Sequence, residues 1–168
     1  MTSKVNFVRQ QGLRDATSTS CVHQYPALMW QPRIIGVLVL LGLVLQSRLY
    51  FLALGTLLWW NALWPAFNPF DAFYNLLLAE PKGLPRLAPA PAPRRFAQGM
   101  AGTFMLGIGV LLANGWNSAA RGLEGILVLA LAALILGRFC MGSYVFLLIT
   151  RQAGFAHRTL PWTRTGQP

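Results

Sequence analysis

The sequence predicts an all-α integral membrane protein: a four-helix bundle with one short helix lying in the cytoplasmic interface. Three observations carry this. Of the 168 residues, 55% are hydrophobic and only 11% are charged, against about a quarter charged in soluble domains. Long stretches carry no charge at all, from Ile34 to Ser47, from Phe96 to Ala120 and from Gly125 to Gly137, which is the pattern of membrane spans. The charges that remain are 14 Lys or Arg against 4 acidic residues, a net +10, and they cluster between the apolar blocks.

Residues 1–28 are polar and rich in Ser, Thr and Gln, and composition predicts a mobile N-terminal tail. They contain no apolar segment followed by a small-residue cleavage site, so no cleavable leader is expected. The first span is then its own insertion signal, over residues 29–46, with Pro32 in its first turn. Gln46-Ser47-Arg48 forms a polar turn, and the second span follows over 49–64. Trp59, Trp60 and Trp64 crowd its end, as in an aromatic belt at headgroup level.

Residues 68–79 read differently. Asn68-Pro69 is a cap followed by a first-turn proline, and Asp71 sits where the helix dipole favours a carboxylate. Phe70, Phe73, Tyr74, Leu77 and Leu78 make one apolar stripe on a helix too short to span, hence the interfacial helix; the same stripe would serve to cap the bundle. Five prolines between 81 and 93 predict an extended connector. The third span is expected over 96–113 and, after an Asn114–Asn117 turn, a long fourth helix over 120–150, with Gly142 as its bend. Residues 152–168 form a C-terminal tail.

With four spans both termini share a side. That side carries Lys4, Arg9, Arg14, Arg33, Lys82, Arg86, Arg94, Arg95, Arg151, Arg158 and Arg164; the two turns on the other side carry Arg48 and Arg121. The bias predicts cytoplasmic termini and a cytoplasmic connector. Arg33, Arg94, Arg95 and Arg151 are expected to contact lipid headgroups. Topology accounts for the basic excess without nucleic acid as a partner.

Few residues carry chemistry. His23 and His157 lie outside the spans, so no haem or histidine-ligated pigment fits between helices. Cys21-x-His23 offers two ligands where metal sites use three or four. Neither a metal nor a cofactor is expected. Gly99, Thr103 and Gly107, with Gly109 and Ala113, are small residues that allow close helix packing, inside the bundle or across a homodimer. Arg121 and Glu124, three apart, can pair on one face. Arg138 is a third charge within the fourth helix and needs a partner or a snorkelling route. Cys140 and Ser143 share a face; they are the candidate catalytic pair, although a lone cysteine in an apolar helix is ordinarily an inert small hydrophobe.

Pro93-Arg94-Arg95-Phe96-Ala97 and Phe139-Cys140-Met141-Gly142-Ser143-Tyr144 resemble two motifs of a bacterial membrane family called domain of unknown function 4395. The resemblance covers about Trp30 to Gln152 and implies about four spans in a bacterial inner membrane. In that family the second motif runs Phe-Cys-x-Gly-Cys. Cys140 matches its first cysteine, and Ser143 stands where the second would be. The expected function is a non-catalytic structural or accessory subunit, with the bilayer, other membrane subunits or a second copy as partners. The alternative is a thiol- or sulfur-handling protein that uses Cys140.

Overall fold

The computed structural model describes residues 2–163; Arg164, counted above among the cytoplasmic charges, lies outside them. The protein is all-α, with no strand among the described residues. Eight α-helices follow in order among the described residues: α1 (Thr2–Gln10), α2 (Ser18–Leu45), α3 (Arg48–Leu63), α4 (Pro69–Tyr74), α5 (Ala92–Ala113), α6 (Asn117–Ile135), α7 (Met141–Ile149) and α8 (Ala153–Arg158), with a short 3-10 helix at Pro65–Phe67 and a π-helical turn, Asn75–Ala79, that continues α4. Three of them, α2, α5 and α6, are long and apolar enough to cross a membrane. Their outer surfaces are apolar: Val44 is 82% exposed and Leu129 71%, a surface suited to lipid rather than to water. The chain is thus built as a membrane protein.

The helices are punctuated by local chemistry. Thr17 caps α2, its hydroxyl accepting from the Ser20 amide while Ser20 bonds back to the Thr17 amide, a reciprocal cap. Gln46, in the left-handed region at φ 45°, ends α2, and the hydroxyl of the next residue, Ser47, caps α3. Asn68 caps α4 by accepting from the Phe70 amide at 3.0 Å. Pro32 falls well inside α2 rather than in its first turn, because α2 begins at Ser18.

α3 and α5 make the closest helix pair, through glycine. A Cβ on Gly55 would lie 2.9 Å from the Gly102 carbonyl oxygen and the Leu106 amide nitrogen, so the two backbones touch there as only glycine permits. Gly109 lies against Leu52 and the Arg48 carbonyl, and Gly99 against Trp59 and Ala62. Gly107 faces α6, with Leu123 3.1 Å from its Cβ position. Thr103 and Ala113 are exposed, and the Thr103 hydroxyl bonds the Gly99 carbonyl of its own helix. The small-residue stripe is therefore split among two helices and the outer surface, and Gly102, outside the expected spacing, makes the backbone-to-backbone contact with Gly55.

The N-terminal segment is not a mobile tail. α1 packs on α2, with Phe7 and Tyr25 ring centroids 5.7 Å apart, edge to face. Its buried polar side chains find backbone partners: Asn6 donates to the carbonyls of Leu160 and Thr163 at 2.8 and 2.9 Å. Arg14 bonds Gln152, and Gly12 sits against Pro91. The N-terminal segment, the proline-rich connector and the C-terminal segment thus form one layer at one end of the molecule. The turns after α2 and α5 lie together at the opposite end, around a cleft lined by Gln46, Ser47, Leu112 and Arg121.

The expected long helix over 120–150 is broken. α6 ends at Ile135, Arg138 adopts φ 55°, and α7 starts at Met141. An unbroken helix of that length, at about 1.5 Å per residue, would overrun a hydrocarbon core about 30 Å thick; the chain turns instead. The turn precedes Gly142, whose role is packing: a Cβ there would lie 2.7 Å from Ala97 of α5. Arg138 therefore lies in the turn between α6 and α7 rather than within a helix. Its guanidinium reaches Ser3 and sits 5.8 Å from the Tyr25 ring.

Candidate functional site

A buried polar cluster lies at the connector end of the helices. Arg94, in the first turn of α5, is 5% exposed. Its Nη2 donates to Asp71 Oδ1 at 2.6 Å and to Gln31 Oε1 at 2.8 Å. Asn68 donates to the other oxygen of Asp71 at 3.1 Å and to Gln31 Oε1 at 3.3 Å. Gln98, one turn beyond Arg94, donates to Gln31 Oε1 at 2.8 Å. Three segments of the chain meet here: α2 with Gln31, the start of α4 with Asn68 and Asp71, and the first two turns of α5 with Arg94 and Gln98. All five side chains are buried, and the one cation and one anion neutralise each other, as burial demands.

Arg94 is thus not a headgroup ligand; its side chain turns inward because Asp71 and Gln31 are there to receive it. Arg95, beside it, turns outward and caps α3, its Nε donating to the Ala62 carbonyl at 2.7 Å. Arg33 and Arg151 are exposed. The apolar stripe expected over residues 68–79 is divided in the same way. Phe70 and Tyr74 are buried against the helices, whereas Phe73 and Leu77 face outward.

Cys140 and Ser143 lie next to this cluster, at the start of α7, and both are buried. The Cys140 amide donates to Gln10 Oε1 at 2.8 Å, so α1 holds the N-terminus of α7. Ser143 Oγ is 3.3 Å from Cys140 Sγ and 3.2 Å from the Pro93 carbonyl oxygen. A hydroxyl has one hydrogen to give. A chain in which the thiol donates to Ser143 and Ser143 donates to Pro93 uses each hydrogen once.

A cavity of about 210 Å³ adjoins both features, lying between α2, α5, α6 and α7. Its polar edge is made by Gln11, Gln31, Arg94, Gln98 and Cys140, and the rest of its wall is apolar. Among the described residues no group of three or more His, Cys, Asp or Glu side chains is placed to hold a metal ion.

Arg121 and Glu124 sit at the opposite end. Glu124 is buried and accepts from Gln46 Nε2 at 3.1 and 3.2 Å, while Arg121 is exposed. The expected Arg121–Glu124 pair is absent among the described residues, where the ion pairs are Arg94–Asp71 and the exposed Arg86–Glu80. The Gln46 amide after α2 reaches the carboxylate that Arg121 does not.

In the sequence Asp71 and Arg94 each have a separate local role, and no motif marks Gln31, Asn68 as a buried donor, or Gln98. The available signal was polar residues inside otherwise apolar helices, Gln31 beside Pro32 and Gln98 two residues after Phe96.

The family described as Domain of unknown function (DUF4395) matches residues 26–151. The match spans most of the chain and takes in both the Arg94 cluster and Cys140; the protein belongs to this family. No curated protein and no solved structure matches the chain.

Proposed function

We propose that this protein is a non-catalytic accessory subunit of a bacterial inner membrane, with four spans formed by α2, α3, α5 and α6 and with both termini in the cytoplasm. The observation that carries it is the layer built by the N-terminal segment, the proline-rich connector and the C-terminal segment. It gathers one end of the molecule into a single folded surface, rich in Lys and Arg, and such an end belongs on the cytoplasmic side. A surface made of pre-ordered segments, polyproline-like ones included, docks a partner at low entropic cost. α3, at 16 residues, spans about 24 Å, and the tryptophans at its end complete the crossing at headgroup level.

The second reading, thiol handling by Cys140, is favoured by the Ser143 hydroxyl at 3.3 Å from its sulfur. Against it, the thiol is buried and serves as one link of the Cys140–Ser143–Pro93 chain.

Purification of the tagged protein in mild detergent separates the two. The accessory reading expects another membrane chain to co-purify in fixed stoichiometry, and equally well with Cys140→Ala. A mixed disulfide recovered from wild type and lost in Cys140→Ala, with no stoichiometric chain, would replace it by the thiol reading.

A further inference from the structure

We propose that the cavity between α2, α5, α6 and α7 binds a lipid-phase molecule that has a neutral carbonyl head and an apolar tail. The proposal rests on the membrane placement given above, not on the accessory role or the orientation.

The residues that form the polar edge of the cavity carry buried hydrogen-bonding atoms that the protein leaves unmatched. Arg94 Nη1, Gln31 Nε2, Gln11 Nε2 and Gln98 Oε1 are buried without a partner. Each of these residues is more than nine-tenths buried and lines the cavity. Buried polar atoms are ordinarily satisfied, and four orphans around one cavity mark the place of a missing partner. The amide orientations are not free. Arg94 can only donate, so the Gln31 atom facing it is the oxygen; Gln98 must then donate to that same oxygen. This leaves Gln31 with an unused donor and Gln98 with an unused acceptor. Three of the four orphans are donors, and the fitting head is an acceptor.

Charge decides which acceptor. The Arg94 cation is already matched by Asp71 at 2.6 Å, and no second cation lines the cavity. An anionic head would be a buried charge without a counter-charge, a costly arrangement. A neutral carbonyl draws on the same donors at no such cost.

The walls supply the tail. Away from the polar edge the cavity is lined by residues such as Ile35, Ala101, Phe104 and Leu131. Water occupies cavities that offer several polar partners, at roughly 30 Å³ per molecule, and these walls offer none. Two lining residues are exposed, Ile126 on α6 at 53% and Met141 on α7 at 47%. They place the mouth at the side of the molecule, between α6 and α7, where it opens towards lipid. Ester-linked glycerolipids and isoprenoid quinones share the required chemistry.

The test uses the full-length protein, freed of lipid, in dodecyl maltoside, a detergent without a carbonyl group. Its unfolding temperature is measured with dioctanoylglycerol, with decylubiquinone and with laurate. At saturating concentration one of the neutral carbonyl compounds is expected to raise it by several degrees, since a ligand of the native state stabilises by mass action. A shift with dioctanoylglycerol alone names a glycerolipid, a shift with decylubiquinone alone names a quinone, and a shift with both supports the carbonyl head that they share. Gln11→Leu should weaken binding about tenfold through the loss of its unmatched Nε2 donor. Ala101→Phe should abolish binding by filling the cavity, with Ala130→Phe as its substitute if the first does not fold, while the outward-facing Leu129→Phe should bind as wild type. No shift with either neutral compound, a larger shift with laurate, or full binding by the folded cavity-filling variant would overturn the proposal.

Discussion

Replacing Arg94 by alanine is expected to destabilise the folded protein by about 3–5 kcal/mol, the cost of leaving a buried partner charge uncompensated. Asp71 would keep only the Asn68 amide, in a site where its side chain is 8% exposed. Asp71→Asn should cost a comparable amount, because it strands the guanidinium. The double variant Arg94→Gln with Asp71→Asn removes both charges and keeps hydrogen-bonding groups, so it should recover much of the loss, as coupled neighbours do. Unfolding titrations in detergent give all three values. A loss below about 1 kcal/mol for Arg94→Ala, the range of an exposed ion pair, would return Arg94 to the headgroup region and dissolve the cluster.

The second large effect belongs to Gly55. Leucine there would drive a Cβ to 2.9 Å from two backbone atoms of α5, and backbone cannot swing aside as a side chain can. Overpacking of this kind typically costs 1–3 kcal/mol and sometimes more; Gly55→Leu is expected at or above about 3 kcal/mol, read as lost thermal stability and lost yield of folded protein. Gly107→Leu meets a flexible leucine at 3.1 Å and should cost less. Gly125, with open space where its Cβ would be, is the control: alanine should be neutral or stabilise α6 by about 0.5–1 kcal/mol. Equal effects at Gly55 and Gly125 would show that α3 and α5 do not meet at these glycines.

The parts of this architecture that were legible in the sequence are those written as long local patterns. Charge-free apolar runs announced an all-α membrane chain, and Asn68-Pro69 announced a helix start that the structure places at Pro69. Features made by pairing across the chain were not legible. Asp71 and Arg94 stand on either side of the proline-rich connector, and nothing local to either says that they meet; each has a sufficient local explanation, a helix dipole for one and a headgroup for the other. α1 was hidden for a related reason. Asn6, Gln10 and Gln11 look like solvent-facing residues, yet they are buried, and Asn6 and Gln10 are matched by backbone groups more than a hundred residues away. Gly55 has no small residue three or four positions away on its own helix, where Phe51, Leu52, Leu58 and Trp59 stand, so no small-residue stripe marks it. Its partner surface is the backbone of α5.

The orientation of the layered end is the claim on which the accessory reading depends, and single cysteines test it directly. In a background where Cys21 and Cys140 are both alanine, Ala88→Cys places a thiol on the exposed connector and Ser118→Cys places one at the exposed start of α6. Intact cells are treated with a membrane-impermeant maleimide, then compared with permeabilised cells. The expected result is labelling of Ser118→Cys in intact cells and of Ala88→Cys only after permeabilisation. Labelling of Ala88→Cys in intact cells, with Ser118→Cys protected until permeabilisation, would contradict it and put the docking layer on the outside.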